Sequence, residues 1–201
     1  LLGGALYLFA DQFNRDIRVA RTELRGIELI DGLKDVMINI QRIRGLKEIA
    51  LNGDRSVAPR VAGLVERTTA MLDTLYDDPL SRRFDVRGLL ARLRDDVGRY
   101  GPLGSGEDSF EHLTATIALI YQQTVRRVAE RPHLIQDAEA DTHALGELLV
   151  NHLHRMVERV GQLRGRFSGY LAARATGAPE PTTSGETVRI HQALVETSHA
   201  E

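Results

Sequence analysis

Apolar residues recur every three or four positions from Ile17 through Ala20, Leu24, Ile27, Ile30, Leu33 and Met37 to Ile40, with no stop signal before Asn52-Gly53. That period places side chains along one face of a helix, and Asn-Gly is a standard C-terminal stop. The spacing predicts a single helix over residues 5–52, roughly 70 Å long at 1.5 Å per residue. So long an amphipathic rod needs other helices to cover its stripe.

The remaining chain supplies them. Pro59 suits the first turn of a second helix, with Val61, Leu64, Val65, Thr68, Met71, Leu72 and Leu75 on its apolar side. Asp77-Asp78-Pro79 interrupts it. Amphipathicity resumes through Phe84, Leu89, Leu90, Leu93 and Val97. Residues 59–99 are thus either one kinked helix or a helical hairpin. Gly101-Pro102-Leu103-Gly104-Ser105-Gly106 makes a loop. Asp108 or Ser109, with Glu111, caps a helix expected to reach about Glu130. Asp137 caps another over roughly 138–175, with Leu145, Leu149, His152, Met156, Val160, Leu163, Phe167 and Tyr170 as its stripe. After the turn Gly177-Ala178-Pro179-Glu180-Pro181, Thr183 and Glu186 open a last helix with Val188, Ala193, Leu194 and Val195.

No segment alternates as a strand does, and aromatic content is only 5%, with no tryptophan. The expected fold is all-α, an elongated antiparallel bundle built as two stacked four-helix modules that share two long helices. The absence of cysteine excludes disulfides and thiolate metal sites. A net charge of −2 gives no electrostatic footprint for nucleic acid. Residues 1–10 carry no charge, about half of the ~20 apolar residues that span a bilayer. They read either as the outer end of a first transmembrane helix or as an ordinary buried helix start. Residues 11–201 then form the helical domain, and Glu201 falls inside a helical pattern without a stop signal.

Two helices carry polar signatures where apolar residues belong. Gln41-Arg42-Ile43-Arg44-Gly45 continues the first stripe, and Gln162-Leu163-Arg164-Gly165 lies within Gly161-x3-Gly165-x3-Gly169. Arg44 falls at i+4 from Ile40, so its guanidinium faces the bundle and must meet an acceptor. That acceptor is either a carboxylate of a neighbouring helix or a bound anion. Arg42 lies further round, toward solvent. Arg164 borders the later stripe. Mid-helix glycine costs about 0.5–1 kcal/mol relative to alanine, so Gly161, Gly165 and Gly169 point to close helix packing, a homodimer seam or a ligand beside the backbone. Asp141 and His143 lie near a helix start, where acids oppose the macrodipole, and they are further candidates for a pocket. His152 and His154 are two apart and diverge, unlike a zinc-binding i, i+4 pair. No catalytic residue, cofactor or metal site is expected.

Glu23-Leu24-Arg25-Gly26-Ile27-Glu28-Leu29-Ile30-Asp31-Gly32-Leu33, followed by Gln41 to Leu46 and Asn52-Gly53-Asp54, resembles the first helix of helical extracytoplasmic sensor domains. These occur in bacterial chemoreceptors, sensor histidine kinases and diguanylate cyclases. Leu134-Ile135-Gln136-Asp137, Asp141-Thr142-His143 and Gly161-Gln162-Leu163-Arg164-Gly165 resemble a second hallmark of that group, with Ala138 where proline is usual and Thr142 where serine is frequent. The resemblance implies the extracytoplasmic, periplasmic part of an inner-membrane receptor. It further implies a homodimer, membrane attachment through flanking helices, and signalling by helix shifts. In bimodular relatives small carboxylates bind between helices. On this reading Arg44 and Arg164 contact a small anionic ligand and Gln41 and Gln162 orient them. The alternative is a dimerisation or protein-interaction module, for which an arginine paired to a carboxylate in a closed core is the expected sign.

Overall fold

A computed structural model describes residues 2–104, 109–125, 154–177 and 189, and the described elements are helices joined by tight turns. The first helix, α1, spans Leu2–Leu51. It ends where Asn52-Gly53 predicts: Gly53 adopts φ +110, its N–H donates to Ala50 O, and Asp54 N–H donates to Ile49 O. That pair of bonds is a Schellman cap. Thr176 lies against the cap, and a Cβ on Gly53 would fall 2.5 Å from its Oγ1 and 2.9 Å from its Cβ. Gly53→Ala therefore combines positive-φ strain with a steric clash. The expected loss is about 2–4 kcal/mol, read as a lower urea midpoint, and Thr176→Ala in the same chain should return only the part of the clash made by Oγ1 and Cγ2, because alanine keeps its Cβ.

Asp54 caps a 3-10 turn, Arg55–Val57, by accepting from Ser56 N at 3.0 Å. The second helix, α2, runs Ala58–Asp77 with proline in its first turn. Asp78 is extended, as a residue before proline prefers, and its carboxylate accepts from Leu80 N at 2.8 Å to start the short α3, Pro79–Arg83. Asp85 takes φ 57, within the left-handed range that aspartate tolerates better than most. The chain thereby reverses into α4, Arg87–Tyr100. Arg94 Nε lies 2.7 Å from Asp73 Oδ1, and Arg87 donates to Tyr76 O at 3.0 Å while covering its ring. Residues 59–99 are thus a hairpin, not one kinked helix.

The fifth helix, α5, is Ser109–Leu119, continuing as a π-helical turn over Ile120–Val125. The sixth, α6, is His154–Thr176, and Gly177 follows it at φ +67. The expected extension from Val125 to Glu130, the caps Asp108, Asp137 and Thr183, the stripe residues Leu145, Leu149 and His152, and the expected last helix from Thr183 apart from the helical Arg189 lie outside the described residues. So do Asp141 and His143.

One core unites α1, α2, α4 and α5. Leu33, Val36, Ile40 and Ile43 of α1 meet Val61 and Leu72, Leu90, Leu93 and Val97, and Leu113 and Ile117, all buried. Helices adjacent in sequence run antiparallel, whereas α6 runs alongside α1 in the same direction: Gly161 faces Gln41, Gly165 faces Gly45 and Gly169 faces Glu48. The expected α1 stripe holds only in part. Leu24 and Ile27 are 62% and 49% exposed, because the covering helices begin to pack near Leu29. From there the buried line is Leu29, Leu33, Val36, Ile40, Ile43, Lys47 and Ala50, a seven-residue repeat. The α6 stripe is displaced as well. Val160 and Phe167 are exposed, and the face toward α1 carries glycines and Ala173. No helix among the described residues is long and apolar enough to cross a membrane.

Lys47 sits in that buried line. Its Nζ donates to Tyr100 O at 2.7 Å and to Pro102 O at 2.6 Å, tying α1 to the loop after α4. Burial pushes its pKa down from 10.5 to about 8, against the opposing pull of the Glu48 carboxylate. Between about pH 8 and the unfolded value near 10.4, the unfolded chain binds more protons than the folded one, so this group makes stability rise with pH. Below about pH 8 the amine is protonated in both states and the burial penalty is fully present. A neutral amine keeps two N–H donors, enough for both carbonyls. Chemical denaturation of wild type and Lys47→Met across that window should show the wild type gaining on the variant as pH rises. A constant difference would place the Lys47 pKa at its ordinary value.

Candidate functional site

Where α1, α5 and α6 meet, an apolar bundle encloses a polar cluster. Arg44 is 1% exposed because its place in the buried line of α1 leaves its guanidinium no route to water. Its Nη1 donates to Glu158 Oε1 and, at 2.8 Å, to Thr114 Oγ1. Thr114 passes a hydrogen bond to Phe110 O at 2.8 Å. The other Glu158 oxygen accepts from Gln41 Nε2 at 2.9 Å, and Gln162 Nε2 donates to Oε1 at 2.9 Å. One carboxylate therefore gathers three donors from two helices. Charge-assisted bonds of this kind are about twice as strong as neutral ones, which is how a buried guanidinium is tolerated. Among the described residues Arg44 Nε and Nη2 have no acceptor. The Phe110 ring lies 4.9 Å from Arg44 Cζ and compensates in part through its π face.

Phe110 also carries Arg166, whose Cζ lies 3.7 Å from the ring centroid. Arg166 pairs with Glu111 and reaches Glu48 Oε2 at 3.5 Å. The glycines allow the approach. Gly165 and Gly45 meet backbone to backbone, so that a Cβ on Gly165 would sit 3.6 Å from Gly45 Cα and 3.3 Å from the Phe110 ring. A Cβ on Gly161 would lie 3.4 Å from Arg44 Nη2, and one on Gly169 3.0 Å from Asn52 Nδ2.

Beside this closed cluster a half-open cleft of about 230 Å³ lies between α1, α2 and α6. Arg42, Arg60 and Arg164 line it from three different helices, over a floor of Leu46, Ile49 and Leu64. No acidic residue lines it among the described residues. All three arginines are exposed, and none has an ion-pair or hydrogen-bond partner among the described residues. Elsewhere the arginines near carboxylates pair with them, as Arg87 does with Asp77 and Arg94 with Asp73.

The structure thus divides the residues named from sequence. Gln41, Arg44 and Gln162 converge on Glu158, so the group facing Arg44 is this chain's own carboxylate. Arg164 points away from them into the cleft, which Gln41 also borders. The sequence did not single out Glu158, Thr114, Phe110, Arg166 or Arg60; it placed Arg42 toward solvent, and Arg42 is exposed while also lining the cleft. Glu158 precedes Gln162 by four residues, the helical-neighbour spacing, which was the one available signal for it. No group of three or more potential metal ligands occurs among the described residues. No protein-family model, curated protein or solved structure matches the chain.

Proposed function

We propose that this chain is a signal-sensing helical module of a transmembrane receptor, the extracytoplasmic part of a sensor histidine kinase or chemoreceptor, which binds a small anion between its helices. The observation that carries the reading is the cleft: three arginines from three helices line it, without a carboxylate among the described lining residues. Like charges brought together in this way repel, and an anion bound among them relieves that repulsion. The resemblance of residues 17–175 to helical sensor domains supports the same conclusion. An anion held by α1, α2 and α6 together favours one arrangement of those helices over others, and a ligand shifts a conformational equilibrium by its differential affinity. Small displacements of α1 and α6 are then the signal.

A second reading has its own support. Arg44 is paired to Glu158 in a closed core, and Val157, Val160, Phe167 and Leu171 are exposed on α6. Both suit an interaction or dimerisation module.

A thermal-shift screen against small carboxylates, amino acids, nitrate and phosphate separates the two. A ligand at 100 times its dissociation constant adds about 2.7 kcal/mol, a shift of several degrees. No shift from any compound, with a change in oligomeric state on dilution, would favour the interaction module.

A further inference from the structure

The geometry points to the α1–α2–α6 cleft as the binding site for a compact organic anion that carries at least two negative charges on an apolar frame. The inference rests on the sensor reading and deepens it by naming the site and the chemistry it selects. Three features define the ligand. The first is charge: Arg42, Arg60 and Arg164 line the cleft, with no acidic side chain beside them among the described residues. Guanidinium is always protonated and matches carboxylate and phosphate oxygens in pairs, so a single negative charge leaves most of this field unanswered. The second is the floor. Leu46, Ile49 and Leu64 offer hydrocarbon contact, and the abutting backbones of Gly45 and Gly165 keep side chains out. An inorganic ion would leave that surface unused. The third is size, since about 230 Å³ is below the roughly 300–1,000 Å³ of drug-sized sites and suits a compact ligand.

Arg60 lies in the first turn of α2, which spans Ala58–Asp77, where the helix macrodipole adds positive potential. Its place is also the reason a bound anion couples helices: it draws the start of α2 toward Arg42 of α1 and Arg164 of α6.

Isothermal titration calorimetry at low ionic strength tests this with succinate, citrate, glycerol 3-phosphate, inorganic phosphate, propionate and the neutral succinamide. Citrate, succinate or glycerol 3-phosphate should bind, and the carboxylate and phosphate arms separate the two oxyanion chemistries. Phosphate and propionate should bind at least about tenfold more weakly than the best of them, and succinamide not at all. Arg42→Ala, Arg60→Ala and Arg164→Ala should each weaken binding about tenfold or more, as expected for hydrogen bonds to charged groups. Arg60→Lys keeps the charge but loses the fork, and should fall between. Arg92→Ala removes an exposed charge of α4 that does not line the cleft, and should leave affinity unchanged. Equal losses in Arg92→Ala and the cleft variants would reveal a general surface-charge effect and overturn the assignment. Binding that survives Arg42→Ala and Arg60→Ala would also overturn it while leaving the sensor reading intact. If none of these compounds binds, the cleft assignment falls, and the sensor reading is then decided by the wider thermal-shift panel.

Discussion

Glu158→Ala should lower the melting temperature by roughly 6–20 °C. The variant strands the Arg44 guanidinium, whose side chain has no exposure to solvent, and removes the acceptor shared by Gln41 and Gln162. Breaking a buried pair by deleting one partner costs about 3–5 kcal/mol, and a domain of this size shifts by roughly 2–4 °C per kcal/mol. Calorimetry of the single variant measures the loss. Arg44→Met with Glu158→Gln tests its cause, because methionine needs no acceptor and a glutamine accepts from one neighbouring amide while its own NH2 donates to the other once that amide turns over. The double variant should recover most of the stability. A single variant that melts like wild type would mean that Arg44 reaches another acceptor in solution, and an anion would then become a live partner for it.

Gly165→Leu should be comparably damaging, by about 3 kcal/mol, because overpacking a tight contact costs 1–3 kcal/mol and occasionally more. A single Cβ there already lies 3.3 Å from Phe110 and 3.6 Å from Gly45 Cα. A leucine must drive α6 away from α1 and loosen Phe110, on which Arg44 and Arg166 both stack. The contrast is Gly63→Ala in α2, where an added Cβ meets nothing within 4 Å. There alanine should stabilise by about 0.5–1 kcal/mol through helix propensity alone. Denaturant midpoints of the two variants should therefore move in opposite directions. Movement the same way would mean that the α1–α6 contact does not exist in solution.

The all-α fold was legible because its signals are local. Asn52-Gly53, Pro59 and Asp78-Pro79 each act within one turn of the chain, and the helix boundaries follow them. Arg44 was legible as buried for the same reason, since its phase on α1 follows from Ile40. What escaped the sequence depends on how distant helices are rotated against one another. Twenty-eight acidic residues were available to Arg44, and nothing in α1 selects Glu158. Leu24 and Ile27 have the correct spacing for the buried stripe yet stand exposed, because burial depends on where the neighbouring helices end. Hydrophobicity was also a poor guide to the inward face of α6. Close approach to α1 requires small residues, so glycine occupies the contact and Val160 and Phe167 point outward. Arg42 and Arg60 become one site only through the hairpin and the placement of α6, which no spacing along the chain encodes.

The glycines on α6 recur every four residues, and this has a mechanical corollary. Moving α6 along α1 by about 6 Å, four residues at 1.5 Å each, would set Gly161 or Gly169 where Gly165 now meets Gly45. The three glycines are interchangeable seats on a track, although a slide in either direction brings Val157 or Ala173 into a place a glycine now holds. Polar detents add to the choice: the Glu158 carboxylate on Arg44 and Gln41, Arg166 reaching Glu48 Oε2 at 3.5 Å further along, and Thr176 Oγ1 donating to Asn52 O at 3.0 Å at the far end. Such a track holds its position by chemistry as well as by bulk.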